Sequence, residues 1–537
     1  MRRLRSPAFI AAAALSLALP RSARAQPDQP APLKDPASPK DAPAIDDKGE
    51  AKPEKAPTAT PPAPSAVPAP PPPPSSPPAR PLPGPADAPA APPPGGFEFG
   101  SYGRVVAATD LHGQPGHDAD VVAHGSRLDE GNYVELELRR EDYWKKTQST
   151  TRLVATLAFA DPFFHYDGQF SIQAAVRNLY IEERDLLVKG LSVWAGSRMY
   201  RGDDIYLLDW WPLDNLNTMG AGVRYDAPTH TTVALHVGVE QPASGFFKQI
   251  VPEASVYDQP GETDVAVLNR QEAIGSLRLQ QIVPLGKDGL GGLKGVLYGE
   301  YHTLAEGQEQ TSVPNVFQDM PAESGVVIGA QLGAFTGVRD THVNLFLRYA
   351  TGIAAYPDLT EPFELSPQRT TSGAHEALAA LGANYEVGAF GVMLAGYIRS
   401  FRDASPALDY DDVDEGIVMA RPAVFFGEIA GLAFEASYQA QQRGVVTRVG
   451  TDGTLNHDPA GPVTARIGRI GFMPFLSPAG RGNYSRPQFR IIYSAAFRND
   501  AAKTLYPLND VAGLRSVEHF LGVGAEWWFN STSYGGS

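Results

Sequence analysis

From Phe97 to Phe529 the chain alternates apolar and polar residues with a period of two. The clearest instance is Tyr133-Val-Glu-Leu-Glu-Leu-Arg139. On an extended strand, Tyr133, Glu135, Glu137 and Arg139 share one face and Val134, Leu136 and Leu138 the other, so one side is wet and the other greasy. The alternation recurs in Phe97–Thr109, Gly131–Arg140, Thr150–Ala160, Gln169–Glu182, Leu191–Met199, Met219–Asp226, His230–Val239, Glu272–Ile282, Leu293–Thr303, Gly325–Phe335, Thr341–Thr351, Glu376–Tyr385, Val387–Tyr397, Gly416–Phe426, Ala430–Gln439, Thr464–Met473, Arg486–Phe497 and Ser516–Phe529. This predicts about 18 strands, an even number within the range of bacterial outer-membrane barrels.

The connections between these runs alternate in length. Asp226–Thr229, Arg339–Asp340 and Glu386 are tight, whereas Gln241–Gln271, Ala305–Ser324 and Gly352–His375 are long. Tight turns at one rim and long loops at the other are what a transmembrane antiparallel β-barrel requires. A single soluble sandwich of this length would be oversized. Gly286–Gly292 lacks the Lys-Ser/Thr ending of a phosphate loop and reads as a flexible turn. The acidic run Asp409–Glu415 reads as a solvated loop, and Pro422 and Pro487 as strand starts, where a missing N–H is tolerated. The last strand ends at Glu526-Trp-Trp-Phe529, an aromatic end suited to an interfacial girdle, and a polar tail, residues 530–537, follows.

One connection stands out. Trp194-Ala-Gly-Ser-Arg-Met-Tyr-Arg-Gly-Asp-Asp-Ile-Tyr-Leu-Leu-Asp-Trp-Trp-Pro-Leu-Asp214 holds three tryptophans, two arginines and four aspartates. It is too aromatic for disorder and too long for a plain turn, so it is expected to fold into the lumen and narrow it.

Ahead of the barrel the composition changes. Arg2, Arg3 and Arg5, an apolar run over Ala8–Leu19 and Ala23-Arg-Ala25 read as a cleaved signal peptide over residues 1–25, implying export. Residues 26–96 are dominated by Pro and Ala without an aromatic residue, and read as a disordered periplasmic linker, either a plain spacer or a tether that contacts peptidoglycan. The chain has no cysteine, and its net charge of -15 argues against nucleic acid as a partner. The 11 histidines form neither a catalytic triad nor a metal-ligand spacing, so no enzyme activity, cofactor or metal is expected.

Sugars present apolar C–H faces and a rim of hydroxyls, so a channel selective for them needs aromatic rings and paired ionic groups. Phe99-Gly-Ser-Tyr-Gly-Arg104, Arg127-Leu with Tyr133-Val-Glu-Leu136, Arg177-Asn, and Trp194-Ala-Gly-Ser-Arg-Met-Tyr200 leading to Asp204 and Asp209 supply both kinds. With later echoes in Arg348-Tyr-Ala-Thr351, Ala420-Arg-Pro422, Ser485-Arg-Pro487 and the terminal Trp-Trp-Phe, the chain from Phe97 to Phe529 resembles the maltoporin family of carbohydrate-specific outer-membrane porins. The resemblance implies a homotrimer of 18-stranded barrels among outer-membrane lipids of a Gram-negative bacterium, each with its third loop in the pore, passing oligosaccharides of maltose and maltodextrin type.

Carried over, it implies an aromatic slide at Tyr102, Tyr133 and Trp528 and an ionic track of Arg104, Arg127, Glu135, Arg177 and Asp209. Trp211 stands where the family has a constriction tyrosine, and Gly202 where it has an arginine, leaving Arg201 as a displaced candidate. Two later slide positions fall near Ile328 and Gly416, which are not aromatic, and Phe163, Phe164 and Phe170 are candidates for the ring lent by a neighbouring subunit. Plainer readings stand beside these. Tyr102 and Tyr133 could be girdle or packing residues, Arg177 and Arg198 could pin the loop through its carboxylates, Trp194 reads as packing, and Trp210 fits either role. Two other functions stay open: a porin for another small, possibly anionic, solute, and a barrel that anchors the envelope through its Pro-rich tether.

Overall fold

The computed structural model describes residues 95–532 apart from 169, 255–260, 287–289, 338–339, 358, 407–410, 445–446, 450–454, 458–461 and 507–508. The signal peptide and Pro/Ala-rich linker expected before residue 95, and the end of the tail, lie outside the described residues.

Eighteen strands form the wall: β1 Gly96–Thr109, β2 Tyr133–Trp144, β3 Ser149–Ala160, β4 Gln173–Arg184, β5 Leu191–Arg201, β6 Asn215–Ala227, β7 Thr231–Glu240, β8 Glu272–Leu285, β9 Gly291–Leu304, β10 Glu323–Phe335, β11 His342–Gly352, β12 His375–Val387, β13 Phe390–Arg402, β14 Val413–Phe426, β15 Ala430–Arg443, β16 Thr464–Leu476, β17 Gln488–Arg498 and β18 Val517–Phe529. Each pairs antiparallel with its chain neighbours, and β1 closes the ring on β18 from Ser101↔Phe529 to Thr109↔Leu521. The barrel is therefore closed and has no free sheet edge, as a structure spanning lipid requires. The long loops carry small hairpins of their own at Lys248–Ala254 with Glu262–Asn269 and at Gly307–Gln310 with Phe317–Met320.

The alternation turns inside out relative to a soluble protein. Glu135 and Glu137 are 1% exposed, while Leu136 and Leu138 between and beyond them are 40% and 50% exposed. The wet face thus lines the lumen, and the greasy face looks outward. Phe97, Phe99, Trp144, Tyr385, Phe390, Phe426, Phe489 and Phe529, all near the short-turn ends of their strands, are exposed on the outside, as an interfacial girdle demands.

Three local expectations give way. Pro422 lies inside β14, and the ladder to β15 lapses between Ala420↔Ala436 and Ala423↔Ala433 because proline has no N–H to donate. Pro474 interrupts the β16–β17 ladder in the same way, between Phe472↔Tyr493 and Phe475↔Arg490. Pro487 does sit directly ahead of β17. The acidic run is no solvated loop at its described end: Val413 opens β14, and Glu415 is fully buried against Arg399. Glu386 belongs to β12, and the chain reverses after Val387 into β13.

Two long-rim loops fill the lumen. Loop 202–214 joins β5 to β6, and its 3-10 turn Tyr206–Leu208 docks on an apolar strip of the opposite wall that includes Val296, Tyr298, Phe346, Leu378, Met393, Tyr397, Ile417 and Met419. There the inward positions of the strands are apolar as well, so the loop buries side chains worth roughly 1.5–3 kcal/mol each. Loop 110–132 leaves β1 and returns to β2, yet it is tied to β13 through β16. The Val121 N–H donates to Gln439 Oε1 (2.8 Å), the Ala123 N–H to Glu415 Oε2 (3.2 Å), the His124 N–H to the Tyr397 hydroxyl (3.0 Å) and Ser126 Oγ to Glu435 Oε1 (2.5 Å).

Candidate functional site

The seam between β1, β2 and the two inserted loops gathers most of the residues singled out in the sequence. Tyr102 and Arg104 face inward from β1, opposite Glu135 and Tyr133 in register on β2. Their rings lie 5.9 Å apart, and the guanidinium groups of Arg104 and Arg177 flank the Tyr133 ring at 5.6 and 5.7 Å.

Arg177 reaches the lumen through an irregularity. On strict alternation it would share the outward face of Leu179 and Ile181, but the β3–β4 register shifts between Thr156 and Leu157, leaving Arg177 as the extra residue of a bulge. It pairs with Glu135 at 3.0 Å and hydrogen-bonds the Tyr133 hydroxyl, which itself donates to Glu135 at 2.6 Å.

Loop 202–214 brings Asp209 to this seam. Asp209 adopts φ 46° at the end of the 3-10 turn, and its carboxylate lies 2.9 Å from Arg104 and 3.5 Å from Arg127. Arg104 also meets Glu130 at 3.0 Å. Arg127, on loop 110–132, donates to the Tyr102 hydroxyl (2.5 Å) and to Glu526 (2.9 Å), and lies 4.4 Å over the Tyr206 ring. Tyr102 is 0% exposed, so it offers no ring face to the lumen; its hydroxyl orients Arg104 and Arg127, and Tyr133 is the more open of the two rings.

Glu526 was not anticipated. Its carboxylate accepts from Arg127, from Arg486 Nε (2.6 Å), from the Tyr206 hydroxyl (2.8 Å) and from Arg490. Beside it Trp528 is half-buried under the Arg486 guanidinium at 4.2 Å, with Tyr206 edge-on at 5.9 Å. The only sequence signal for Glu526 is its parity with Trp528, which the aromatic run around it hides.

Arg201 and Trp211 form a second group, the guanidinium 4.0 Å over a buried indole. Gly202 explains the displacement of the arginine. Its N–H donates to Asp214 at 3.0 Å, and a Cβ there would stand 2.4 Å from that carboxylate and 2.2 Å from Arg278, so a side chain would have to push the Arg278–Asp214 pair aside. Trp194 packs in the wall with Val154, Tyr180 and Tyr200, and Trp210 stacks on His124 at 4.1 Å. Arg198 pairs with Glu182 of β4 at 3.2 Å and Arg177 with Glu135 of β2, so both hold wall carboxylates and not loop ones. Ile328 is 58% exposed on the outer face and contributes nothing to the lumen. Phe164 and Phe170 are exposed on loop 161–172, with the Phe163 ring tilted against that of Phe164, centroids 4.2 Å apart.

Burial sets the charge of the loop carboxylates. It raises Asp129 to about 8, helped by Asp120 on the other side of Arg469, and raises Glu130 and Asp204 to about 7. Burial acts the same way on Asp203, but Lys294 at 2.6 Å outweighs it and keeps that carboxyl at about 2.

The family profile described as LamB porin matches residues 97–529. No curated protein matches the sequence. Among solved structures, the chain is similar to in-vitro folded OmpT of Vibrio cholerae in its trimer form (10% identity, TM-score 0.35, covering 81% of this chain and 100% of that one). It is also similar to OpdK of Pseudomonas aeruginosa with vanillate (10%, 0.36, 81% and 98%) and to OccAB1 of Acinetobacter baumannii (11%, 0.38, 81% and 96%).

Proposed function

The chain belongs to the LamB porin family, and from that premise we propose that it passes neutral, hydroxyl-rich solutes of maltose and maltodextrin type through the lumen. The observation that carries this reading is the pairing of charge around Tyr133. Arg104 is matched by Asp209 and Glu130, Arg127 by Glu526 and Asp209, and Arg177 by Glu135. Of these, Arg104 with Asp209 and Arg177 beside Glu135 keep exposed atoms and offer hydrogen-bond donors and acceptors side by side, which suits hydroxyls, whereas an anion would find each arginine already engaged; Arg127 with Glu526 is buried and holds the loops in place. The Tyr133 ring offers a stacking face for a pyranose. Binding of this kind is shallow enough to release, as conduction requires.

The same reading takes residues 1–25 as a signal peptide, residues 26–96 as a periplasmic tether and the working unit as a homotrimer, with the ring of a neighbouring loop 161–172 contributed at the entrance. Planar-bilayer recordings test the solute. Maltodextrins at millimolar levels are expected to block the KCl current reversibly, and small carboxylates to leave it unaltered. The absence of block by any maltodextrin, or block by the carboxylate alone, would reject the sugar reading.

A further inference from the structure

The connection between β16 and β17, residues 477–487, behaves unlike the other connections at the short-turn rim. It does not simply reverse the chain. Arg481 donates to the carbonyl oxygens of Gly388 (3.2 Å) and Gly427 (3.2 Å) and to Glu428 (2.6 Å). The Asn483 N–H donates to Glu386 Oε1 (2.7 Å), and its side-chain amide donates to Asn384 Oδ1 (2.8 Å). The Tyr484 ring lies 6.1 Å from that of His342 at the start of β11. The segment leaves the wall at β16 yet touches the ends of β11, β12 and β14. With neighbouring strands about 4.8 Å apart, four strand spacings separate β16 from β12, roughly 20 Å along the sheet, so the segment leans over that sector of the mouth.

It also rises to meet loop 202–214. Tyr484 packs edge-on against Tyr206 at 5.4 Å, at the margin of the central apolar cluster. Arg486, two residues on, covers Trp528 and pairs with Glu526. Gly480 and Gly482, at φ 116° and 148°, supply backbone turns that an L side chain disfavours and so let the segment fold inward.

We propose that turn 477–487 is a second constriction element, entering from the short-turn rim, and that Tyr484 faces the solute there, with the buried Arg486 anchoring the turn through Glu526. The inference rests on the reading of the lumen as the solute path, but not on the identity of the solute. Ser477-Pro-Ala-Gly-Arg-Gly-Asn-Tyr-Ser-Arg-Pro487 has the composition of an ordinary turn, and its inward course is set by partners on other strands.

Single-channel conductance in KCl, without sugar, is the test. Tyr484→Ala is expected to raise conductance about twofold or more, because an aromatic ring leaves the narrow section. Since the chain contains no cysteine, Tyr484→Cys creates a unique thiol, and a bulky charged thiosulfonate added on the short-turn side is expected to cut the current by about half or more. Lys145→Ala, in the exposed turn after β2, is the control and is expected to conduct as the unsubstituted protein does. Unchanged conductance in either Tyr484 variant, in a barrel that migrates as folded on unheated gels, would overturn the proposal. Absence of maltodextrin block in the unsubstituted protein, with conductance still raised by Tyr484→Ala, would instead reject only the sugar reading.

Discussion

Glu526 accepts from three arginines and one tyrosine and is 1% exposed, so a single carboxylate ties β18 to both inserted loops and to turn 477–487. Removing one partner of a buried ion pair costs about 3–5 kcal/mol. Glu526→Gln keeps the shape and deletes the charge, so urea unfolding in detergent should show a loss of that order, with the current shifted toward anions. A loss below about 1 kcal/mol would mean that the arginines find other partners. Trp211 carries a milder prediction. It supports Arg201, and Trp211→Ala removes a cation–π contact worth about 0.5–2 kcal/mol, which should weaken maltodextrin block up to about 30-fold without unfolding the barrel. Unaltered block would place this residue outside the solute path. At this scale strand parity made the inward direction of Tyr133 and Arg104 legible, whereas Asp209, on a loop without parity, was reachable only through the family resemblance. The sequence was silent for Glu526, and for Tyr102 it indicated the inward direction but not the burial, which depends on a loop arriving from elsewhere in the chain.

Loop 110–132 is gripped by a site that titrates. Arg469 holds Asp129 at 2.6 Å and Asp120 at 2.9 Å, and burial holds Asp129 at about 8. A carboxyl whose folded value lies above its unfolded one near 3.9 favours the docked loop while protonated and loses that contribution as pH rises through the folded value. The loop should therefore be protected from protease at about pH 6 and more readily cut at about pH 9, and Asp129→Asn should shrink the difference, leaving the share of Asp120 and Glu130, which burial also raises. Equal cleavage at both pH values in the unsubstituted protein would contradict this. Among the elements, all 18 strands were visible in the alternation, because a wall with lipid on one side and water on the other enforces it. What escaped were departures from the period: the bulge that turns Arg177 inward, the interior Pro422, and the described end of the acidic run, Val413–Glu415, which enters β14. Each is settled by partners across the neighbouring strand, which the local period does not encode.

For the whole molecule, the decisive feature is a closed ring with an apolar exterior and a lumen entered from both rims. The exterior makes its own prediction. Leu297 is 66% exposed near the middle of β9, and Leu297→Arg should cost about 2–4 kcal/mol in a bilayer, measured by unfolding from lipid vesicles. A negligible cost would argue that this face does not meet lipid. Deleting residues 27–95 should leave conductance unchanged if the Pro/Ala-rich segment is a tether, and a loss of current would assign it a part in the channel. The central claim is that the paired charges and the Tyr133 ring bind a sugar in passage, and a crystal structure grown with maltotriose examines it most directly. Pyranose rings stacked on Tyr133, with hydroxyls bonded to Arg104, Arg177 and Asp209, are the predicted result; a lumen without sugar, or sugar bound only outside the barrel, would contradict it.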